Sequence, residues 1–572
     1  MSEIFRTATR MTSPTPAHWP PGLPQHLALP QTHVFYNLEV SARRYPDKPF
    51  IVFYDSVLTY AGFLREAEHL AGHLQQVGGV RAGDRVLLCM QNSPQWALAF
   101  YAILRAGAVV VPVNPMNRVE ELRHCVTDSG AHVALVAQDL LPQVRPLLTA
   151  DGDGLRHVVV ATYSDHLHVP TDLAVPDFVA APRQPLNEPG LVAWADAIAA
   201  ERTPGPLATG PEDLCAMPYT SGTTGLPKGC MHTHRSVMST LVGGVRWFGT
   251  ATDAVCLSVL PFFHVTGLTG SLNGPLYVGA TIVVLARWDR EVAAICMQRY
   301  RVTMWQAIST MVIDFLAHPQ LERFDLSSLR CVRGGGAAMP EALAARLKAL
   351  TGQDYIEGYG MSETMAATHI NPTHRPKRQC LGMPVFDVDA RVVDPDTLAT
   401  LPPGETGEIV VHGPQVMQGY WRNPKATQDA FVTLDGLRFL RTGDLGHVDE
   451  DGYFFMTDRL KRMINASGYK VWPAEVEALM YHHPAIQEAC VIGVRDARRG
   501  ESVKALVVLR PEHRGHVTEQ DVIDWAHGHM AAYKSPRTVE FVETLPRSGS
   551  GKVMWRELQE QQAARDANAL PP

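Results

Sequence analysis

The chain has 572 residues, 46% of them hydrophobic and 19% charged, with a formal net charge of −7. That length exceeds what one hydrophobic core organises, so two or more domains are expected. The acidic balance excludes an overall basic field of the kind that draws a protein to nucleic acid or anionic lipid.

Residues 1–35 read as a proline-rich leader with no apolar segment of the length a signal peptide or a membrane span needs, while Arg6 and Arg10 among few acids leave an organelle-targeting segment as the alternative. From about residue 36, amphipathic helical patterns alternate with short β-branched runs: RVLLCM (85–90), AVVVPV (108–113), HVALVA (132–137), ATIVVL (280–285) and ARVVD (390–394). Such alternation predicts an α/β fold, a large N-terminal domain (36–460) of layered sheets covered by helices. The denser glycine turns from GEIVVHG (407–413) to DGYFFMTDR (451–459) predict a β-rich subdomain within it. A boundary near Lys461 leaves residues 461–572 as a small α+β C-terminal domain. Nine cysteines without a C-x-x-C pair or regular spacing argue against a disulfide framework or zinc ribbon, and fit a reducing cytoplasm.

The stretch YTSGTTGLPKGCMHTH (219–234) concentrates the chemistry. Gly222 and Gly225 let the backbone turn, and Thr220, Ser221, Thr223 and Thr224 set hydroxyls beside free N–H groups, a concavity suited to phosphate oxygens. Lys228 adds a mobile point charge. The stretch is not a Walker A loop, because Lys228 follows a proline and precedes Gly229. On its own it is also compatible with a polar hairpin turn. Cys230, His232 and His234 would share one face of a strand, but a spacing of two does not converge three side chains on one ion, so a metal site is not expected there.

Other stretches decide the matter. In order follow PFFHVTG (261–267), GGGAAMP (334–340), YGMSET (359–364), GEIVVHG, RTGDLG (441–446), DRLKRMINASGYKVWPAEVE (458–477) and PRSGSGK (546–552). Together with the loop, this ordered set resembles the adenylate-forming enzymes, the superfamily of acyl-CoA synthetases, luciferases and nonribosomal peptide adenylation domains, over about residues 36 to 560.

The resemblance implies that the loop from Thr220 to Lys228, including Ser221, Gly222, Thr223, Thr224 and Gly225, holds the β- and γ-phosphates of ATP. Glu363 is implied as the Mg²⁺ ligand, with Thr220 as a second oxygen donor; a helix N-terminal acid is the alternative. Gly334, Gly335 and Gly336 would let the backbone lie flat against adenine and the acyl group, and Tyr359, opening the run Gly360, Met361 and Ser362, would stack on the purine. Asp444 would take both ribose hydroxyls with Arg459 beside it, the alternative being a turn aspartate capping its own backbone. Lys552 would reach between carboxylate and α-phosphate. His264 matches the gate between acyl pocket and thiol channel, or else is a buried histidine donating to a carbonyl.

A lysine standing where the thiol must enter implies a mobile C-terminal domain, with Lys461 at the hinge. The loop Asn465 to Lys470 would then replace that of Lys552, with Gly468 lining the pantetheine tunnel. Two departures from the family pattern fall here: Arg462 stands where an acid is usual, and Met554 with Trp555 where a basic residue is common.

The acyl pocket is expected to be walled by Trp247, Phe262, Phe263, Gln306, Ala307, Ala337 and MAATH (365–369). Ala366 and Ala367 leave depth for an alkyl chain, and no extra arginine or lysine stands out to hold a second carboxylate. The expected activity is an ATP-dependent acid:CoA ligase acting on a medium- to long-chain fatty acid, with an aryl acid, or loading of a separate carrier protein, as alternatives. Only 20 residues follow Lys552, which favours coenzyme A over a fused carrier. ATP, Mg²⁺ and coenzyme A are the expected cofactors. No nucleic acid and no integral membrane segment are expected, and a homodimer is left open.

Overall fold

A computed structural model describes residues 18–150, 152–220, 226–336, 339–459, 462–466, 469–496, 500–547 and 553–569. Ser221, Gly222, Thr223, Thr224, Gly225, Ala337, Lys461, Gly468 and Lys552 lie outside the described residues, as does the side chain of Arg459. The chain divides into two compact units, one of Met1–Ala390, Val411–Leu440 and Asp451–Phe454, the other of Arg391–Val410, Arg441–Glu450 and Phe455–Pro572.

The first unit is built on two sheets. One has seven strands in the order Leu191–Ala193, His157–Ala161, Val133–Ala137, Arg85–Cys89, Val109–Pro112, Leu214–Ala216, His232–Thr233. The other has nine, in the order Met383–Pro384, Ala366–Ile370, Tyr355–Met361, Cys331–Gly335, Met304–Gln306, Val255–Ser258, Thr281–Val284, Pro49–Phe53, Ser56–Thr59. From Tyr355–Met361 to Pro49–Phe53 every pairing in that sheet is parallel. The β-branched runs lie where continuous burial requires them; Val133–Ala137 and Thr281–Val284 are buried along their whole length.

The helix Pro94–Arg105 shows how local sequence and packing agree. Ser93 caps it by accepting the N–H of Trp96, Pro94 occupies the first turn, and nearly every side chain through Leu104 is buried. A helix apolar all round is stable only when enclosed, and this one contributes Trp96, Phe100 and Tyr101 to a core continuous across both sheets.

A third sheet runs in the order Asp389–Val393, Gly407–His412, Leu437–Val448, Phe431–Leu434, with Phe454–Arg459 also paired to Leu437–Val448; this is the β-rich subdomain. In the second unit, Tyr469–Val471, Ile464–Ala466, Gly500–Leu509, Ile486–Asp496 and Thr538–Phe541 form a five-stranded sheet. Its residues alternate between two cores. Val491, Ala505 and Val507 pack with Val476, Met480 and Val522 from the helices Pro473–Met480 and Glu519–His529. Cys490, Ile492, Leu506 and Val508 pack on the other face with Leu545 and Leu558. The expected α/β body and smaller α+β unit are both present. Among the described residues no helix is long and apolar enough to cross a membrane.

Candidate active site

The glycine- and hydroxyl-rich stretch is closed at its base by antiparallel pairing. Tyr219 bridges Gly229, the Thr220 N–H donates to the Lys228 carbonyl at 3.0 Å, and the Cys230 N–H to that of Pro218 at 2.9 Å. The outer side of the same base is hooked onto residues 418–421. Trp421 N–H donates to Gly229 O (2.8 Å), Met231 N–H to Gly419 O (3.0 Å) and Gln418 N–H to Met231 O (2.9 Å).

This pairing delivers Tyr420, a residue the motif reading passed over. Its hydroxyl donates to Glu363 Oε1 at 2.8 Å, and Lys228 Nζ lies 4.1 Å from its ring centroid. Burial, then the neighbouring Glu363 charge, push the Tyr420 phenol far above the usual tyrosine range, so it stays protonated and donates. One phenol thus holds a cation over its face and a carboxylate at its tip. Thr220 is buried, and its Oγ1 has no hydrogen-bond partner among the described residues.

Glu363 sits in the short turn Ser362–Thr364 at the carboxyl end of Tyr355–Met361, where open parallel sheets bind ligands. Two groups fix the turn. Met417 N–H donates to the Glu363 carbonyl at 2.8 Å, and His232 Nε2 donates to that of Ser362 at 2.7 Å. Burial lowers the His232 pKa to about 4, so the ring is neutral. Met365 and Ala366 just beyond adopt positive φ of 47° and 89°, backbone strain of the kind concentrated at functional sites.

Cys230, His232 and His234 do not share a strand face as expected. The strand ends at Thr233, whose side chain caps the helix His234–Phe248 by accepting the Ser236 N–H. His234 is therefore helical, and its Nδ1 accepts the Val34 N–H at 3.0 Å. No cluster of metal-ligating side chains occurs among the described residues.

The other expected site residues fall on neighbouring strand ends. Gly334 and Gly335 close the strand Cys331–Gly335, and Tyr359, Gly360 and Met361 close Tyr355–Met361. At Gly334 a Cβ would lie 1.7 Å from the Ala307 carbonyl oxygen, so its glycine is required by the adjoining strand. Gly336 differs: its φ is +86°, and nothing among the described residues would stand within 4 Å of a Cβ there. The Tyr359 ring is half-buried, 5.7 Å from that of His369. His264 is exposed, and its Nδ1 accepts the Thr266 N–H at 3.3 Å, so the buried-histidine alternative does not apply.

Asp444 belongs to the second unit, buried on Leu437–Val448. The turn before it is clamped by Glu408, the acid of GEIVVHG, which takes the Arg441 Nε at 2.9 Å and the Gly443 N–H at 3.1 Å. Two sequence motifs are thus halves of one structural unit. Arg459 ends the strand Phe454–Arg459.

Of the expected acyl-pocket wall, Phe262, Ala307 and Ala366 lie in the main core, with Phe263 packed against it. Trp247 does not join them. It packs with Ile356, Ile370 and Phe386 and donates its indole N–H to Asn371 O at 3.0 Å; Ala367 sits against that second cluster. Beside Gln306 stands a cation that the sequence did not single out. Arg333, one residue before Gly334, is only 7% exposed and lies on the strand next to Gln306.

Comparison with known proteins agrees with this geometry. The family model of the AMP-binding enzyme matches residues 38–421, and that of the AMP-binding enzyme C-terminal domain matches residues 475–552. The chain is similar to a long-chain-fatty-acid–CoA ligase of Bacillus subtilis (strain 168), with 34% identity over 96% of this chain and 97% of that one. It is likewise similar to a feruloyl-CoA synthase of an Amycolatopsis species, 35% identical over 87% of this chain and 93% of the other. A crystal structure of the anthranilate CoA ligase AuaEII in complex with anthranoyl-AMP superposes with a TM-score of 0.79 and 29% identity, covering 96% of this chain and 99% of that one.

Proposed function

Because the chain belongs to the AMP-binding enzyme family, as an AMP-forming acid:CoA ligase, we propose that it activates an acid with an extended apolar body, a medium- to long-chain fatty acid. In the first half-reaction a carboxylate oxygen attacks the α-phosphorus of ATP and pyrophosphate leaves. In the second, the thiol of coenzyme A attacks the acyl carbon and AMP leaves. The observation that carries the assignment of residues is the meeting of Lys228 and Glu363 on Tyr420.

Lys228 and the loop from Thr220 to Gly225 hold the departing phosphates, their charge answered by an ammonium and backbone N–H groups. The oxygen donors fit Mg²⁺: the Glu363 carboxylate, and the Thr220 hydroxyl that is buried without a partner among the described residues, are of the hard type that ion takes alongside phosphate and water. When bound, the ion neutralises phosphate charge. Asp444 with Arg459 takes the ribose, Tyr359 stacks on the base, and Gly334, Gly335 and Gly336 with Gly360, Met361 and Ser362 line it. Lys552 offsets the repulsion between carboxylate and α-phosphate, and Lys461 and Gly468 serve the thiol step, with His264 at its channel. The nine cysteines are all free, which supports a reducing, cytoplasmic setting.

The fatty-acid reading draws on the Bacillus relative; an aryl acid is the second reading, favoured by the feruloyl-CoA synthase at 35% identity. Pyrophosphate release from the full-length chain is the test. Release that requires both ATP and an acid, followed by coenzyme A-dependent thioester formation, is expected. Failure of any fatty or aryl acid to support release overturns the reading.

A further inference from the structure

The most unusual group near the proposed acyl site is a buried cation. Arg333 lies near the carboxyl end of Cys331–Gly335, and its Cα is paired with that of Gln306 on the parallel neighbour. Both residues therefore face the side of the sheet opposite Trp305 and Val332, which are fully buried in the main core. The guanidinium stacks 4.1 Å over the Phe248 ring, and Nη2 donates to the Gly270 carbonyl at 3.2 Å. Among the described residues no carboxylate forms an ion pair with it.

The surroundings are arranged around these two side chains. Gly270 lies in Leu268–Asn273, a wide π-type turn of the kind enriched at functional sites. A Cβ at Gly270 would stand 2.0 Å from Gln306 Oε1, so the turn is pressed against the strand end. Ser271 Oγ donates to Gln306 Oε1 at 3.2 Å, and Gln306 Nε2 to the Thr266 carbonyl at 3.3 Å. The Gln306 amide is thereby held at both its oxygen and its nitrogen by protein groups. A guanidinium carries five N–H donors, and an uncompensated buried charge is costly unless something meets it.

We propose that Arg333 is a specificity determinant, and that the acid this chain prefers carries a second acceptor oxygen, a carboxylate or a hydroxyl, remote from the carboxylate that is adenylated. This rests on the reading above that the chain activates a carboxylic acid. Arg333 donates to that oxygen, Phe248 keeps the guanidinium plane fixed, and the Gln306 amide, anchored by Ser271 and Thr266, bounds the same end of the pocket. A plain alkyl chain would leave the buried charge unanswered.

The test compares matched acids on the full chain: alkanoates against their ω-hydroxy and ω-carboxy counterparts of equal length, and cinnamic against 4-hydroxycinnamic acid, each read as kcat/KM for pyrophosphate release. The oxygen-bearing member of at least one pair is expected to be favoured about tenfold or more. Arg333→Met is expected to bring that ratio to one or below, and Arg333→Lys, which keeps the charge and loses the fork, to retain part of it. The ratio within one protein is independent of how much of it is folded; should the methionine variant not fold, the wild-type ratios and the lysine variant decide. A preference for the plain acid in every pair, or an unchanged ratio in Arg333→Met, overturns the inference while leaving acid activation standing. Absence of release with every acid overturns both. A preference confined to the ω-carboxy pairs identifies the oxygen as an anion, and one extending to the hydroxy acids identifies it as a neutral acceptor.

Discussion

The guanidinium of Arg462 lies 5.6 Å from the ring centroid of Trp555. Arg462, and Met554 with Trp555, are the positions that the sequence reading sets apart from the resembled pattern, and Arg462 and Trp555 meet each other. Arg462 also reaches Glu477 through both Nη atoms and donates to the Val491 carbonyl at 3.2 Å, while Glu477 accepts the Val491 N–H at 2.7 Å. The cation is therefore part of the packing of the second unit.

Removing the two partners should have unequal effects. Trp555→Ala loses the cation–π contact, about 0.5–2 kcal/mol. Arg462→Met leaves Glu477 buried without its partner, a loss of about 3–5 kcal/mol. The double variant Arg462→Met/Glu477→Met should recover much of that. Urea unfolding of each variant checks the order; equal midpoints for Trp555→Ala and Arg462→Met would contradict it.

Tyr420→Phe retains the ring beneath Lys228 and deletes the hydrogen bond to Glu363. A bond to a charged group contributes about 1.5–3 kcal/mol, so kcat/KM for pyrophosphate release should fall about ten- to hundredfold, with a raised Mg²⁺ requirement. An unchanged Mg²⁺ titration would show that Tyr420 does not position the carboxylate.

Lys552→Ala should lower acyl adenylate formation about hundredfold or more, while thioester formation from a supplied acyl adenylate proceeds. Loss of both half-reactions in equal measure would remove Lys552 from its assigned place.

These assignments were unequally legible in the sequence. Lys228, Glu363 and Asp444 are singled out through the ordered motifs and the family those motifs resemble, and their proposed roles rest on that resemblance. Tyr420 could not be singled out: it reaches Glu363 only through backbone pairing of 229–231 with 418–421, and no local pattern announces such long-range register. Arg333 resembled an ordinary polar position on a strand, since burial and the lack of a carboxylate partner among the described residues are properties of the neighbours. Trp247 was placed from sequence position alone, whereas its location follows from packing against Phe386 and Ile370. The error over His234 was avoidable, because Thr233 ahead of Ser236 is a helix-cap signal. The alternating β-branched runs made the layered fold readable, their period matching the sheets they form.

Acid should destabilise the first unit through its buried histidines. Burial lowers His73 and His232 to about 4, and His166, His234 and His369 to about 3, from an ordinary 6.5. Each stays neutral when folded but takes a proton when unfolded, so its contribution is complete above pH 6.5 and is lost as pH falls toward the folded value. For His232 the loss at pH 5 is about 2 kcal/mol. Denaturant midpoints measured from pH 7 to pH 5 should fall steeply, and His232→Gln should flatten the curve; an identical slope in that variant would contradict the assignment.

The hook between 229–231 and 418–421 also bears on biosynthesis. Nearly two hundred residues must leave the ribosome after the glycine- and hydroxyl-rich stretch before its outer edge finds a partner, so nascent chains halted short of residue 417 would display that edge unpaired. Pulse proteolysis of stalled chains of increasing length should show protection of the stretch arriving in one step, once the Tyr420 segment has emerged. Protection appearing in shorter chains would mean that the stretch takes its shape without this late closure.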